Sequence, residues 1–353
     1  MIGKRLKLAR VNLGLSLFEL ENRIGKIVTI PLLEQYERDE MMPSSQVLIV
    51  LAEALGVTEN YLVSQRDIQL EGLAFRKNSV IQKRDEAYIE NRVLDHLERY
   101  LEIEALLNVA SLKWDAPRNC PFPVREISAA DLIAHNMRDH WQVGMNPIPH
   151  FAPFLEERGI KVLSLPLLGE VSGLTCWAKR EGEVPVPVII INDSLSGEWQ
   201  RFTLSHELGH LVLQVENNVE EESAANRFAG AFLMPTELLW ETIGTHRRTL
   251  SLGELFELKA LLGTSVQAIT IRCQEMGIIN TATAQGLFEQ FRHFGWHQLP
   301  YNEPQPCPSE KSDRFKRLCF RALAEDIISE PKAAELLGLS VRQLVQEMDG
   351  TSV

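Results

Sequence analysis

With 353 residues and 45% hydrophobic content, the chain has material for two or three domains, each able to bury a core. Its net charge of −12 excludes a general nucleic-acid or membrane coat, so any contact with DNA must be local. No apolar run approaches a membrane span, and polar residues interrupt every candidate signal-peptide core.

Residues 1–66 read as an all-helical domain. Leu6, Leu8, Ala9 and Leu13 begin one helix, Leu15 to Leu20 begin a second with Ser16 as N-cap, and Gly25 marks a turn. A short helix runs from about Thr29 to Tyr36. A fourth follows Pro43-Ser44, with Leu48, Leu51, Ala52 and Leu55 on one face and Gly56 at its end, and Asn60-Tyr61-Leu62 starts a fifth. This pattern, with Tyr36-Glu37-Arg38 after the third helix, resembles the Cro/xenobiotic-response class of helix-turn-helix domains.

The resemblance implies that the third helix is a recognition helix, which in such domains presents polar side chains to base edges. Thr29 and Gln35 are its hydrogen-bonding candidates, and Leu32 stands between them as a contact for DNA or a partner protein. Ile30-Pro31-Leu32-Leu33 is apolar, Glu34 would meet phosphate repulsion, and Leu17 stands where family members commonly place a polar phosphate contact. Seven Lys/Arg from Lys4 to Arg38 oppose eight Asp/Glu from Glu19 to Glu59, which leaves no net electrostatic pull. The run Lys4 to Arg10 is either a phosphate patch or a solvated face. Two roles stay open for the domain: reading DNA, or docking another helix-turn-helix protein through apolar positions.

Residues 67–120 read as a helical connector and linker. Ile89, Val93, Leu97 and Leu101, continued by Leu106 and Leu107, have helical spacing and predict a long amphipathic helix. That helix either packs on the next domain or pairs in a dimer. Trp114 to Pro123 carries three prolines and reads as a linker.

Residues 121–290 carry the most specific signal. Val186 to Ile191 predicts a strand, and the prolines near its start argue for a sheet edge able to add an extended peptide; an ordinary buried strand is the other reading. Ser194 or Ser196 caps the helix that follows, in which Trp199, Phe202, Leu204, Leu208, Leu211 and Val212 have helical spacing. It bears His206-Glu207-Leu208-Gly209-His210, the HExxH arrangement. Two histidines at i and i+4 converge on one ion, and the glutamate between them can reach a water on that ion. Gly209 costs about 1 kcal/mol in a helix relative to Ala, which predicts a close backbone approach there.

A catalytic zinc takes three protein ligands and leaves one position open. Downstream, Ala225, Phe228, Ala229 and Phe232 predict a helix that closes near Pro235, with Glu222 on its inward face. An inward carboxylate is costly unless it is paired or holds a metal, so Glu222 is the third candidate ligand, with a first-turn acid as the plainer reading. Asn226 can accept a hydrogen bond from a ligand histidine and fix its tautomer.

His206-Glu207-x-x-His210, Glu222-x-x-x-Asn226-x-Phe228-Ala229 and Leu233-Met234-Pro235 together resemble the ImmA/IrrE family of metallopeptidases. Arg201 to Ser205, Trp141-Gln142-Val143-Gly144, Asn146-Pro147-Ile148 and Leu155 to Val162 extend the likeness over about residues 125–280. In members fused to a helix-turn-helix it reaches the connector at Gly72 to Lys77. The resemblance implies dependence on Zn2+ or Mn2+ and cleavage of a partner repressor that relieves transcriptional silencing. It also implies His206, His210 and Glu222 as ligands, Glu207 as general base and Asn226 behind the ligands.

His246, beside Arg247 and Arg248, is a candidate contact for a tetrahedral oxyanion or simply a loop residue. In residues 291–353, Pro300 to Pro308 reads as a loop, Phe315 to Leu323 as a helix, and Ser329 to Leu344 as helix, turn, helix. Ser329 and Ser340 are N-caps and Gly338 a C-cap, in the outline of a hairpin clasping the catalytic domain or a second helix-turn-helix. The five cysteines lack metal spacing, as expected of reduced thiols in the cytoplasm.

The expected fold is mainly α and multidomain with an α+β catalytic core: a helix-turn-helix domain, a connector, a zincin-like metallopeptidase domain with a small sheet, and a C-terminal helical segment. The expected function is a metal-dependent endopeptidase that acts on a helix-turn-helix repressor or similar stress-response protein. The alternative is a DNA-binding regulator whose metal domain senses a signal with little proteolysis.

Overall fold

A computed structural model describes residues 2–57, 59–63, 68–73, 83–167, 171–298 and 302–350, so Ala74 to Lys77 of the connector motif lie outside the described residues. The chain divides into two compact units, one of Met1–Leu70, Val80–Glu98 and Lys179–Val184, the other of Glu71–Ser79, Arg99–Ala178 and Pro185–Val353. The described part is mainly α-helical with a small mixed sheet.

The first unit opens with α1 (Gly3–Asn12), α2 (Leu17–Arg23), α3 (Ile30–Glu37), α4 (Ser45–Leu55) and α5 (Glu59–Val63). Ser16 and Glu19 form a capping box on α2, the Ser44 hydroxyl accepts from Val47 N ahead of α4, and Gly56 closes α4 in the left-handed conformation. Leu6, Leu20, Leu33, Tyr36, Leu51 and Leu62 meet in one small core. Thr29 and Gln35 are exposed, while Leu32 and Leu17 are half-buried and pack on that core rather than standing free. The exposed apolar side chains of this unit include Phe18 and Ile27 instead.

The run Lys4 to Arg10 is not a four-charge patch. Arg10 donates twice to the Glu37 carboxylate, at 2.6 and 2.9 Å, and once to the Leu15 carbonyl. Arg5 is buried against Glu98 and the ring of Tyr61. Helical spacing turns Lys4 and Lys7 outward and the two arginines inward, so two of the four cations are committed within the fold.

After the strand β1 (Ile68–Glu71) comes the long helix α6 (Lys83–Leu106), which buries Ile89, Val93, Leu97, Tyr100, Leu101 and Ile103. The second unit continues with β2 (Phe122–Val124), α7 (Ala129–His140), α8 (Phe151–Glu156), β3 (Lys161–Leu165), β4 (Gly173–Arg180) and β5 (Val186–Asn192). Then follow α9 (Gly197–Val212), β6 (Leu213–Val215), α10 (Glu221–Leu233), α11 (Thr236–Ile243), α12 (Leu252–Leu262), α13 (Val266–Glu275) and α14 (Thr281–His293). Leu204 and Leu208 of α9, Phe228 and Phe232 of α10 and Met137 of α7 share its core.

Two sequence expectations are corrected here. β5 is not an edge strand: it runs antiparallel to β4 on one side and parallel to β3 on the other. Pro187 is tolerated because the β3 ladder begins one residue later, at Val188, so no bond on that side is lost. Nor is Trp114 to Pro123 a free linker. Trp114 packs on Trp177 at 5.8 Å, Asp115 takes the Trp141 indole N–H at 2.9 Å, and β2 pairs in parallel with β6 at the end of α9.

The C-terminal helices are α15 (Arg314–Ala324), α16 (Glu330–Leu337) and α17 (Val341–Met348), with the predicted caps at Ser329, Gly338 and Ser340. They clasp the end of α6: Arg99 donates to the Leu336 carbonyl at 2.9 Å, Lys332 meets Glu102 at 2.7 Å, and Arg314 meets Glu104 at 3.1 Å. The segment before them is a strap along α9. Glu310 accepts from Arg201 at 2.7 Å and Ala152 N at 3.0 Å, and Lys259 joins Glu198 of α9 to Glu303 of the strap at 2.8 and 3.1 Å. Gly197 sits where the strap crosses; a Cβ there would overlap the Pro308 and Cys307 carbonyls.

Candidate metal centre

Twelve of the sixteen residues of α9 are buried, several polar ones included, so it is a core helix and not an amphipathic surface one. Ser196 is its N-cap residue. Gly209 faces α10, where a Cβ would lie 3.3 Å from the Ala225 Cα and from Phe228 Cδ1, so its absence lets the two helices close. That approach sets His206 and His210 opposite Glu222, in the first turn of α10.

Donor atoms of His206, His210 and Glu222 all lie within 4.8 Å of one another. The two Nε2 atoms are 3.0 Å apart, and each is 3.5 Å from a Glu222 oxygen. His206 Nδ1 lies 2.9 Å from Asn226 Oδ1 and His210 Nδ1 lies 3.3 Å from Glu221 Oε1. Both partners are acceptors, so each ring, when neutral, keeps its proton on Nδ1 and turns the Nε2 lone pair inward. Two lone pairs and a carboxylate converging in a half-buried site repel each other, and a divalent cation fits that donor set. Burial opposes a charge on His210, yet its hydrogen bond to Glu222 and the carboxylates of Glu207, Glu222 and Glu221 outweigh it and raise its pKa. The same carboxylates favour a metal ion.

Glu220 accepts from Ser223 N at 2.6 Å and caps α10, Glu221 meets His210 Nδ1, and Glu222 faces the Nε2 atoms of both histidines, so the three successive glutamates are placed differently. Behind the donors, Asn226→Ala is expected to weaken metal binding by about 10–100-fold, because the His206 ring would lose its anchor. Competition against a chelating dye measures it, and an unchanged affinity would contradict that role.

Glu207 is buried, with β4 passing over it. Sequence reasoning missed the residue that permits this, Gly173. A Cβ at that position would overlap Thr203 Cγ2, approach the Ile190 carbonyl oxygen to 3.0 Å and reach Glu207 Cγ at 3.2 Å. A glycine at the start of a strand was the available signal. Gly173→Ala is expected to cost about 1–3 kcal/mol by overpacking and to displace the Thr203–Glu207 face. Thermal unfolding together with cleavage rate checks this; wild-type values for both would show that the contact yields freely.

His206 and Asn226 line a cleft of about 780 Å³ whose apolar walls include Ile127, Trp199, Phe202 and Ile271. A larger hollow, about 920 Å³ beside Arg201 and Lys311, contains none of the three donors. His246 does not line the cleft: it is exposed on the loop between α11 and α12. The other histidine that lines it is His297, which follows α14 and which local spacing could not single out.

Residues 155–274, a span that includes His206, Glu207, His210, Glu222 and Asn226, match the family described as the IrrE N-terminal-like domain. Residues 3–68 match the helix-turn-helix domain family. No curated protein and no solved structure matches the chain. No helix among the described residues is long and apolar enough to cross a membrane. The chain thus joins an N-terminal Cro-type helix-turn-helix domain to a peptidase domain of the IrrE/ImmA type.

Proposed function

We propose that this protein is a metal-dependent endopeptidase, with Zn2+ as the preferred ion and Mn2+ as the alternative, held by His206, His210 and Glu222. When bound, the ion supplies Lewis acidity that makes water a nucleophile near neutral pH and polarises the scissile carbonyl. Glu207 takes the proton of the attacking water and returns it to the leaving amine. Asn226 holds the His206 tautomer. His297, which lines the cleft, takes over from His246 as the side chain proposed to meet the developing oxyanion. The observation that carries this reading is the 4.8 Å convergence of three donors on the helix pair that also buries Glu207.

The substrate is a cytoplasmic transcriptional repressor or similar stress-response protein, itself of helix-turn-helix type. The chain's own helix-turn-helix domain is the regulatory arm, and Thr29 and Gln35, exposed on and before α3, are the groups through which it would touch DNA or a partner. Comparing new protein N-termini in cells that make the intact chain or its Glu207→Gln variant, before and after stress, tests the reading. A terminus that depends on Glu207 supports proteolysis and identifies the substrate. Identical termini, with a strong salt-dependent complex on a specific DNA site, would favour a metal-sensing DNA-binding regulator instead.

A further inference from the structure

The C-terminal helices have no part in the proposed chemistry, and among the described residues α17 keeps one face exposed. It buries Leu344, while Val341, Val345 and Met348 are 41%, 37% and 52% exposed. Spaced i, i+4 and i+7, these three form one apolar stripe along the helix. A groove of about 600 Å³, lined by Phe320, Leu323 and Ile328, continues the apolar surface from its Met348 end.

The charges beside the stripe identify its occupant. Arg342 and Asp349, seven residues apart, flank the same side of it at opposite ends. Each stands against the helix dipole: Arg342 is in the first turn, where backbone N–H groups already concentrate positive charge, and Asp349 is the C-cap, where carbonyls concentrate negative charge. The last turn of α17 carries no basic residue to offset this. An antiparallel copy of the same helix reverses both disadvantages at once.

We propose that α17 pairs with α17 of a second copy across a two-fold axis through Val345. Val345 then lies on the partner's Val345, Val341 faces the partner's Met348, and Arg342 meets the partner's Asp349. Such a contact is isologous, so every interaction occurs twice. One short helix face buries less than the roughly 1,200 Å² of a standard interface, so the dimer is weak and depends on concentration.

Sedimentation velocity of the full chain from about 1 to about 200 µM tests this, since a weak dimer shifts by mass action over such a range. The mass is expected to rise from monomer toward dimer. Val345→Glu, or the milder Val345→Ser, should hold it at monomer with unchanged circular dichroism. Arg342→Glu should weaken association by roughly three- to tenfold, as expected for exposed ion pairs, and adding Asp349→Arg should restore it. A monomer at every concentration overturns the proposal. So does a dimer indifferent to Val345→Glu, which would use another surface, and a charge swap that fails to restore association would rule out the antiparallel arrangement.

Discussion

Glu207→Gln is expected to lower peptide-bond cleavage by about 10²–10⁴-fold, the usual contribution of a positioned general base, while leaving metal content unchanged. The substitution suits this site because Glu207 is 3% exposed and packed under β4, where Gln keeps the shape and removes only the basic oxygen. Alanine would open a cavity beside Gly173 and Thr203 and confound chemistry with packing. The three donors on His206, His210 and Glu222 are untouched, so metal analysis of the purified variant separates a lost base from a lost ion. Cleavage at the wild-type rate by the metal-loaded variant would sink the assignment.

Lys259→Met should be the most damaging substitution outside the metal centre. Lys259, Glu198 and Glu303 are all nearly inaccessible, and burial opposes the lysine charge, yet the two carboxylates outweigh that and raise its pKa. Removing the cation leaves two buried carboxylates facing each other, a loss of about 3–5 kcal/mol for a broken buried pair. At roughly 2–4 °C per kcal/mol in a domain of this size, the melting temperature should fall on the order of 10 °C. Adding Glu198→Gln and Glu303→Gln to Lys259→Met should recover most of the loss, since no orphan charge then remains. A lone Lys259→Met that melts with the wild type would show that water reaches the site.

The same triad bears on regulation. Residues 301–353 could be imagined as a removable gate over the cleft, but deleting them would strip Glu303 from Lys259 and Glu310 from Arg201, close to the start of α9. A truncation that loses activity would therefore report lost support for the metal helix. Substitutions at the exposed face of α17 are the cleaner way to ask whether the C-terminal helices restrain the enzyme.

What the sequence determined by itself was local. Two histidines at i and i+4 converge because a helix turn is 3.6 residues, and the caps at Ser16, Ser44, Ser329 and Ser340 follow from one hydroxyl and its nearest free N–H groups. The placing of Glu222 and Asn226 one turn apart on the same helix face was legible for the same reason, and Gly209 signalled the close approach of α10. Tertiary structure decided whatever depends on partners far apart in the chain. It made β5 an interior strand, turned Arg5 and Arg10 from phosphate candidates into internal ion pairs, and brought His297 to the cleft in place of His246. It also drew a proline-broken loop across α9 as a strap held by buried charges. Periodicity fixes which way a side chain faces within its own element, but which distant side chain meets it there is set by packing of the whole core.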